Sequence, residues 1–161
     1  MSTTTRAEEL TAQFEKVNAE AAAIIEDCGA EDWSRTTAAE GWTVAATAHH
    51  IASVQQRFAS LVGMLAAGET FSPTMTMDQV HAQNARHARE YAAADKDETL
   101  ELLHASRDEI LGHFRALTDD ALERHAGTFG GNDLTVGQVL ENIIIGHPRD
   151  HLASIRETLG D

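Results

Sequence analysis

Thr135-Val136-Gly137-Gln138-Val139-Leu140-Glu141-Asn142-Ile143-Ile144-Ile145-Gly146-His147-Pro148-Arg149-Asp150-His151 is the stretch that decides the fold. Thr135 and Gln138 stand at the capping-box spacing that starts a helix. Val136, Val139, Leu140, Ile143, His147 and His151 then fall within roughly 120° of one another at about 100° per residue, on one face of a helix that runs to about Leu159. That face begins aliphatic and ends in two histidines. They are four residues apart, so both imidazoles leave the same side of the helix, about 6 Å apart along its axis. Imidazoles turned toward a core need partners, and two rings at this spacing can hold one transition-metal ion or form a hydrogen-bonded polar cluster. Pro148 removes a backbone donor directly after the first ring and can kink the helix, which is expected to shift His147 relative to His151.

The same helical periodicity recurs upstream. Thr5 with Glu8 opens a helix to about Asp27, with Leu10, Phe14, Val17, Ala21, Ile24 and Cys28 on its stripe. Thr43 is the expected N-cap of a second helix to about Ala67, with Val44, Thr47, Ile51, Val54, Phe58, Leu61 and Leu65 facing a core and Gly68 as the stop. Thr76 with Gln79 opens a third stretch to about Ala94. Asp95-Lys96-Asp97-Glu98 is a further start, ahead of Leu100, Leu103, Arg107, Ile110, Phe114 and Leu117; the two stretches are either one kinked helix or two. Residues 28–42, with a helical turn at Glu31-Asp32-Trp33, and residues 118–133, punctuated by Gly127, Gly130 and Gly131, read as connections. No segment reads as a strand. Long striped helices without strands predict an all-α fold, a four-helix bundle, and both connections are long enough to cross its end. A chain of 161 residues builds one sizeable core and not two, so residues 1–161 are expected to form a single domain.

Composition narrows the function. A formal net charge of −14 without any basic block argues against nucleic acid and anionic membrane surfaces as partners. No apolar run reaches the length of a membrane span, and the N-terminal residues lack the apolar core of a signal peptide. The single cysteine, Cys28, allows no intramolecular disulfide and fits a reducing cytoplasm. Its place on the first apolar stripe marks it as a small buried hydrophobe rather than a nucleophile.

His49 and His50 are adjacent and point about 100° apart. His50 lies beside Val54 and Leu61 on the flank of the apolar stripe, whereas His49 points away from it. Alone, His50 reads as a satisfied core histidine; with His147 and His151 it becomes a candidate third ring. His81, His87, His104, His113 and His125 form no comparable pair on an apolar face and read as surface or boundary residues, although His81 and Asn84 stand three apart near the expected site. Asp150 is angled inward and is a candidate acceptor for a ligand ring. Arg107 interrupts an apolar stripe and is either paired inside, snorkelled outward or anion-binding. Three neutral imidazoles leave the full charge of a divalent ion uncancelled, which acidifies bound water and stabilises a thiolate. No carboxylate falls on the three-histidine pattern, so no catalytic residue is named, and there is no Ser-His-Asp or Cys-His arrangement and no phosphate loop.

Gly41-Trp42-Thr43-Val44-Ala45-Ala46-Thr47-Ala48-His49-His50-Ile51 resembles the second-helix signature of the DinB-like (YfiT-like) superfamily of metal-binding proteins, and Gly146-His147-Pro148-Arg149-Asp150-His151-Leu152-Ala153-Ser154-Ile155 resembles its closing His-three-residues-His element. The resemblance implies that His50, His147 and His151 are three ligands of one divalent transition metal, Zn²⁺ or Ni²⁺. It implies a four-helix bundle with crossed connectivity, often a homodimer, for which Val62 and Phe71 are the apolar residues expected at an interface. Some branches of the family are thiol-dependent S-transferases and maleylpyruvate isomerases, which implies a small-molecule substrate and a low-molecular-weight thiol as cosubstrate. The expected function is therefore metal-dependent activation of a small thiol or water, as a transferase, isomerase or hydrolase. The alternatives are a non-catalytic bundle that binds a small molecule or a partner helix, with its histidines as a polar network, and a pH- or metal-responsive sensor.

Overall fold

The helix starts lie where the polar caps put them. In the computed structural model, which describes residues 3–161, Thr5, Thr43, Thr76 and Thr135 have extended backbone and each accepts a hydrogen bond from the amide three residues on. At Thr5, Thr76 and Thr135 the reciprocal bond completes a capping box. The elements are α1 (Arg6–Asp27), α2 (Ala30–Trp33), α3 (Val44–Ala66), α4 (Met77–Glu90), α5 (Lys96–Phe114), α6 (Asp119–Leu122), β1 (His125–Phe129), β2 (Asn132–Thr135), α7 (Val136–Val139), a π-helical stretch (Leu140–Ile145) and α8 (Gly146–Leu159). The stretch 76–117 is two helices. Tyr91 closes α4 outside helical geometry, and Asp95 restarts the chain by accepting from the Glu98 amide.

Four long elements make the bundle: α1, α3, α5 and the run from α7 to α8. The helix α1 packs on α5 and on the last run, and α3 packs on the same two. Consecutive bundle helices α1 and α3 therefore occupy opposite corners, as do α5 and α8, and the two long connections cross the ends. This is the crossed connectivity expected. Polar side chains meet across the bundle at Gln55. Gln55 of α3 donates across the bundle to Asn18 of α1 at 2.8 Å and to Ser106 of α5 at 3.0 Å. Elsewhere Phe14 and Phe114 meet with ring centroids 5.3 Å apart among Leu10, Leu103 and Ile110. The helix α3 is buried almost all round because Ala45, Ala46, Ala48, Ala52 and Ala59 let its neighbours approach closely.

Four features depart from the sequence reading. Val62 is fully buried and Phe71 is packed against the core, so neither is a free interface residue. On α1 the inward residue is Ile25, with Ile24 only partly covered, because a helix of 3.6 residues per turn drifts off a strict repeat. The helix α4 is mostly polar, buries only Ala88 completely and lies outside the bundle against α3. The connection at 118–133 contains an antiparallel hairpin, pairing Phe129 with Asn132 and Thr128 with Asp133 around Gly130-Gly131. Both turn glycines have positive φ (58° and 82°), the conformation a two-residue hairpin loop demands. The strands are too short and too polar to show alternation in the sequence.

The hairpin is tied to the chain after α3. The Phe71 amide donates to the Ala126 carbonyl at 2.8 Å, and Gly127 sits against the Phe71 backbone so closely that a methyl group there would collide with its carbonyl oxygen. Gly127→Ala is expected to destabilise the protein by about 1–3 kcal/mol. Gly29→Ala, where nothing lies within 4 Å of the new methyl, should fall within about 0.5 kcal/mol of the wild type. Urea denaturation of both variants checks this.

Candidate metal centre

His50 projects from the second turn of α3 and is 2% exposed, held there by the apolar phase of Ile51 and Val54. His147 and His151 lie in the first turns of α8, half-buried. One ring nitrogen from each of the three lies within 4.8 Å of the others. His50 Nε2 and His147 Nε2 are 3.1 Å apart. The ring centroids are 5.0 Å apart for His50–His147, 4.9 Å for His50–His151 and 4.6 Å for His147–His151. Two nitrogens bound to one Zn²⁺ at about 2.0–2.1 Å stand roughly 3.3–3.5 Å apart in tetrahedral geometry. A ring movement of about 1 Å would thus suit the triad to a shared ion.

Pro148 does not separate the pair. The π-helical stretch precedes it, and the Gly146 amide reaches back five residues to the Glu141 carbonyl. This widened turn takes up the register change before Pro148, whose missing donor then falls in the first turn of α8. Aromatic side chains wall the triad. Trp42 meets His50 edge-on at 5.2 Å and lies nearly parallel to His151 at 6.1 Å, while Phe58 meets His147 edge-on at 5.6 Å.

The carboxylate absent from the histidine pattern comes from a loop. Glu40 accepts from His151 Nδ1 at 2.8 Å through one oxygen and from the Ser154 hydroxyl at 2.5 Å through the other. Its turn is rigid: the Thr37 amide donates to the Trp42 carbonyl at 2.7 Å, the Gly41 amide donates to the Thr37 carbonyl at 3.0 Å, and Gly41 has φ 72°. The Glu40 bond places the proton of a neutral His151 on Nδ1 and leaves Nε2 bare toward the other rings.

Electrostatics keep the rings ready to donate lone pairs. Burial, then the neighbouring histidines and Arg57, pushes the pKa of His50 down to about 2. Burial, then His151 and Arg57, pushes His147 down to about 3. Burial works to raise the Glu40 pKa, but the hydrogen bonds from Ser154 and His151 outweigh it and leave the carboxyl below its ordinary value. Two neutral imidazoles beside a fixed carboxylate form a donor set suited to a borderline divalent ion. Beside the triad a cavity of about 490 Å³ opens, lined by His50, His147, Phe58, Met77 and Phe129, with Arg57 among its polar residues.

The sequence profile of the DinB superfamily matches residues 13–155. The chain belongs to that superfamily. This DinB-superfamily chain is similar in fold to YfiT from Bacillus subtilis, a structure described as a probable metal-dependent hydrolase with an unusual four-helix bundle topology (TM-score 0.75, 19% identity, covering 94% of this chain and 85% of that one). It is also similar to the mycothiol-dependent maleylpyruvate isomerase (TM-score 0.71, 14% identity, covering 92% of this chain). The chain spans 60% of the isomerase's length. At these identities the likeness concerns the fold. No curated protein matches the chain.

Of the residues singled out in the DinB sequence, His50, His147 and His151 come together. Asp150 is exposed and lines the cavity without bonding a ring; Glu40 holds the position expected of it. Asn84 lines the cavity but His81 is exposed and does not. Arg107 pairs with Asp108 at 2.8 Å and is not among the residues lining the cavity beside the triad. His49 does not point into solvent: its Nδ1 lies 2.9 Å from His87 Nε2, and its ring stacks on Tyr91. Glu40 and His87 were missed because one sits in a loop and the other on a polar helix, where no period marks an inward residue. The one available signal for Glu40 was its place directly before Gly41-Trp42-Thr43.

The depressed pKa values carry a stability consequence. Above pH 6.5 His50 and His147 are neutral in both folded and unfolded chains. Below it the unfolded chain takes up protons that the folded chain refuses until about pH 2 and 3, so stability falls as pH falls. Chelator-treated protein is expected to lose several degrees of Tm between pH 7.5 and 5.5, and His50→Leu should flatten that slope. Calorimetry across this range checks both.

Proposed function

We propose that this protein is a metal-dependent enzyme in which His50, His147 and His151 hold one divalent ion, Zn²⁺ or Ni²⁺, to activate a small thiol or water against a small electrophile. One observation carries the reading: three imidazoles, two of them kept neutral by burial, converge within 4.8 Å beside an open apolar cavity. A bound ion with three neutral ligands supplies Lewis acidity, which lowers the pKa of a coordinated thiol or water.

The protein's own residues do the rest. Glu40 fixes the His151 tautomer and, as an anion below its ordinary pKa, moderates the charge of the site. Trp42 and Phe58 restrict ring rotation and keep water from two sides of the triad. Val54, Phe58, Met77, Val80, Phe129 and Ile143 offer an apolar surface to the body of a substrate. Arg57 supplies positive charge near the reacting centre, where a developing anion is stabilised. A thiol held by the ion would suit a transferase or isomerase and a water a hydrolase, and the same residues would serve either.

Protein purified without an affinity tag is expected to contain divalent metal, or to take up one equivalent of Zn²⁺ or Ni²⁺ after chelation, measured by plasma mass spectrometry. His50→Ala and His151→Ala should each lower affinity at least tenfold while retaining helical circular dichroism. Glu40→Gln should weaken binding by about 10–100-fold, the range for a lost outer hydrogen-bond partner. A wild type that neither contains nor takes up metal overturns the proposal and favours a bundle whose histidines form a polar network.

A further inference from the structure

Two of the buried polar side-chain atoms without a hydrogen-bond partner among the described residues are His50 Nδ1 and His87 Nδ1. They belong to neighbouring rings. The His50 and His87 centroids are 5.5 Å apart, with planes crossing at 68°. A buried donor or acceptor without a partner is costly, so two of them on adjacent rings call for one shared remedy.

Tautomers make the two atoms complementary. His50 Nε2 faces His147 Nε2 at 3.1 Å, on the side where the three rings converge. With Nε2 kept bare for that role, the proton of neutral His50 sits on Nδ1, which becomes a donor. On His87, Nε2 lies 2.9 Å from His49 Nδ1. If His87 Nε2 donates to His49, His87 Nδ1 is a bare acceptor. Tyr91 fixes this pair, stacking on His49 at 3.8 Å with planes 12° apart and lying 4.6 Å from His87. Two hydrogen bonds of about 2.9 Å in series through one water span up to roughly 5.8 Å, a reach comparable with the 5.5 Å between the two ring centroids.

We propose that one buried water joins His50 Nδ1 to His87 Nδ1, and that His87, backed by His49, is thereby a positioning residue that orients His50 toward the metal. This rests on the three-histidine reading above. His50 would then have the outer acceptor that Glu40 gives His151, supplied by α4 instead of by the loop before α3.

Zinc affinity of the whole chain, measured by chelator competition, tests the role. His87→Phe keeps the ring's bulk and removes the acceptor; it is expected to weaken Zn²⁺ binding by about 10–100-fold. His87→Gln, which retains an acceptor, should recover part of the loss, and His49→Phe should weaken binding in the same direction by less. Imidazole ¹H–¹⁵N spectra of the zinc-loaded protein give a readout that packing alone would not move. The His50 Nδ1–H signal should be slow to exchange in the wild type and fast in His87→Phe. If the wild type binds zinc while His87→Phe and His87→Gln bind it equally well and keep the protected signal, the role of His87 is overturned and the metal site stands. If the wild type takes up no zinc, the metal reading fails and the role of His87 fails with it. If His87→Phe does not fold, His87→Gln and His49→Phe decide: unchanged affinity in both overturns the proposal.

Discussion

The site depends on bringing three basic rings together out of water without letting His50 and His147 charge. A buried imidazolium in a helical bundle is costly, and three within 5 Å would repel one another as well. The structure avoids both costs by keeping His50 and His147 neutral. That choice has a chemical consequence, because a neutral imidazole carries a bare nitrogen. Packing requirements and donor requirements therefore select the same protonation state. The small residues of α3 enforce it: Ala46, Ala48 and Ala52 let neighbouring helices close around His50 until solvent is excluded.

The three rings are not equivalent. His151 is backed by an anion, Glu40, on a rigid loop. His50 faces a neutral ring, His87, on a helix outside the bundle. His147 meets Phe58 edge-on and lines the cavity together with Asn142 and Ile143. An anion behind one ligand strengthens its donation and partly offsets the ion's charge, while neutral backing fixes orientation without adding charge. With one carboxylate behind three imidazoles, a divalent ion held there would keep net positive charge, as Lewis-acid chemistry requires. A second buried carboxylate would hold an ion more tightly and acidify its ligands less.

Periodicity exposed what is helical and inward. The stripes of α1, α3 and the final helix located the core, and the phase of Val54 and Leu61 separated His50 from His49 without any knowledge of the partner helices. Capping boxes at Thr5, Thr76 and Thr135 gave starts correct to the residue. What stayed hidden has no period. Glu40 reaches His151 across 111 residues of sequence from a turn whose shape depends on Gly41. His87 lies on a helix with a single fully buried residue, so its inward face is defined only by what α3 presents to it. The hairpin pairs four-residue and five-residue strands through two glycines, and its anchor is the backbone of Phe71, which leaves no trace in side-chain pattern. The register change in the last helix was likewise invisible: Pro148 suggested a kink, but the π turn before it absorbs the disturbance and leaves both histidines on one face.

Net charge is a poor guide to the field at such a site. The chain carries a formal −14, yet Arg57 lies close enough to depress the pKa of His50, His87 and His147 together. Surface carboxylates are screened over about 10 Å at ordinary ionic strength. Arg57, although exposed, lines the same cavity as His50 and His147. It makes no salt bridge among the described residues, although Asp150 lines the same cavity. Arg57 thus adds positive charge beside the rings of an acidic protein, while the Glu40 carboxylate adds a negative one at His151. The Arg57 charge disfavours protonation of His50 and His147 and so keeps their ring nitrogens available as donors.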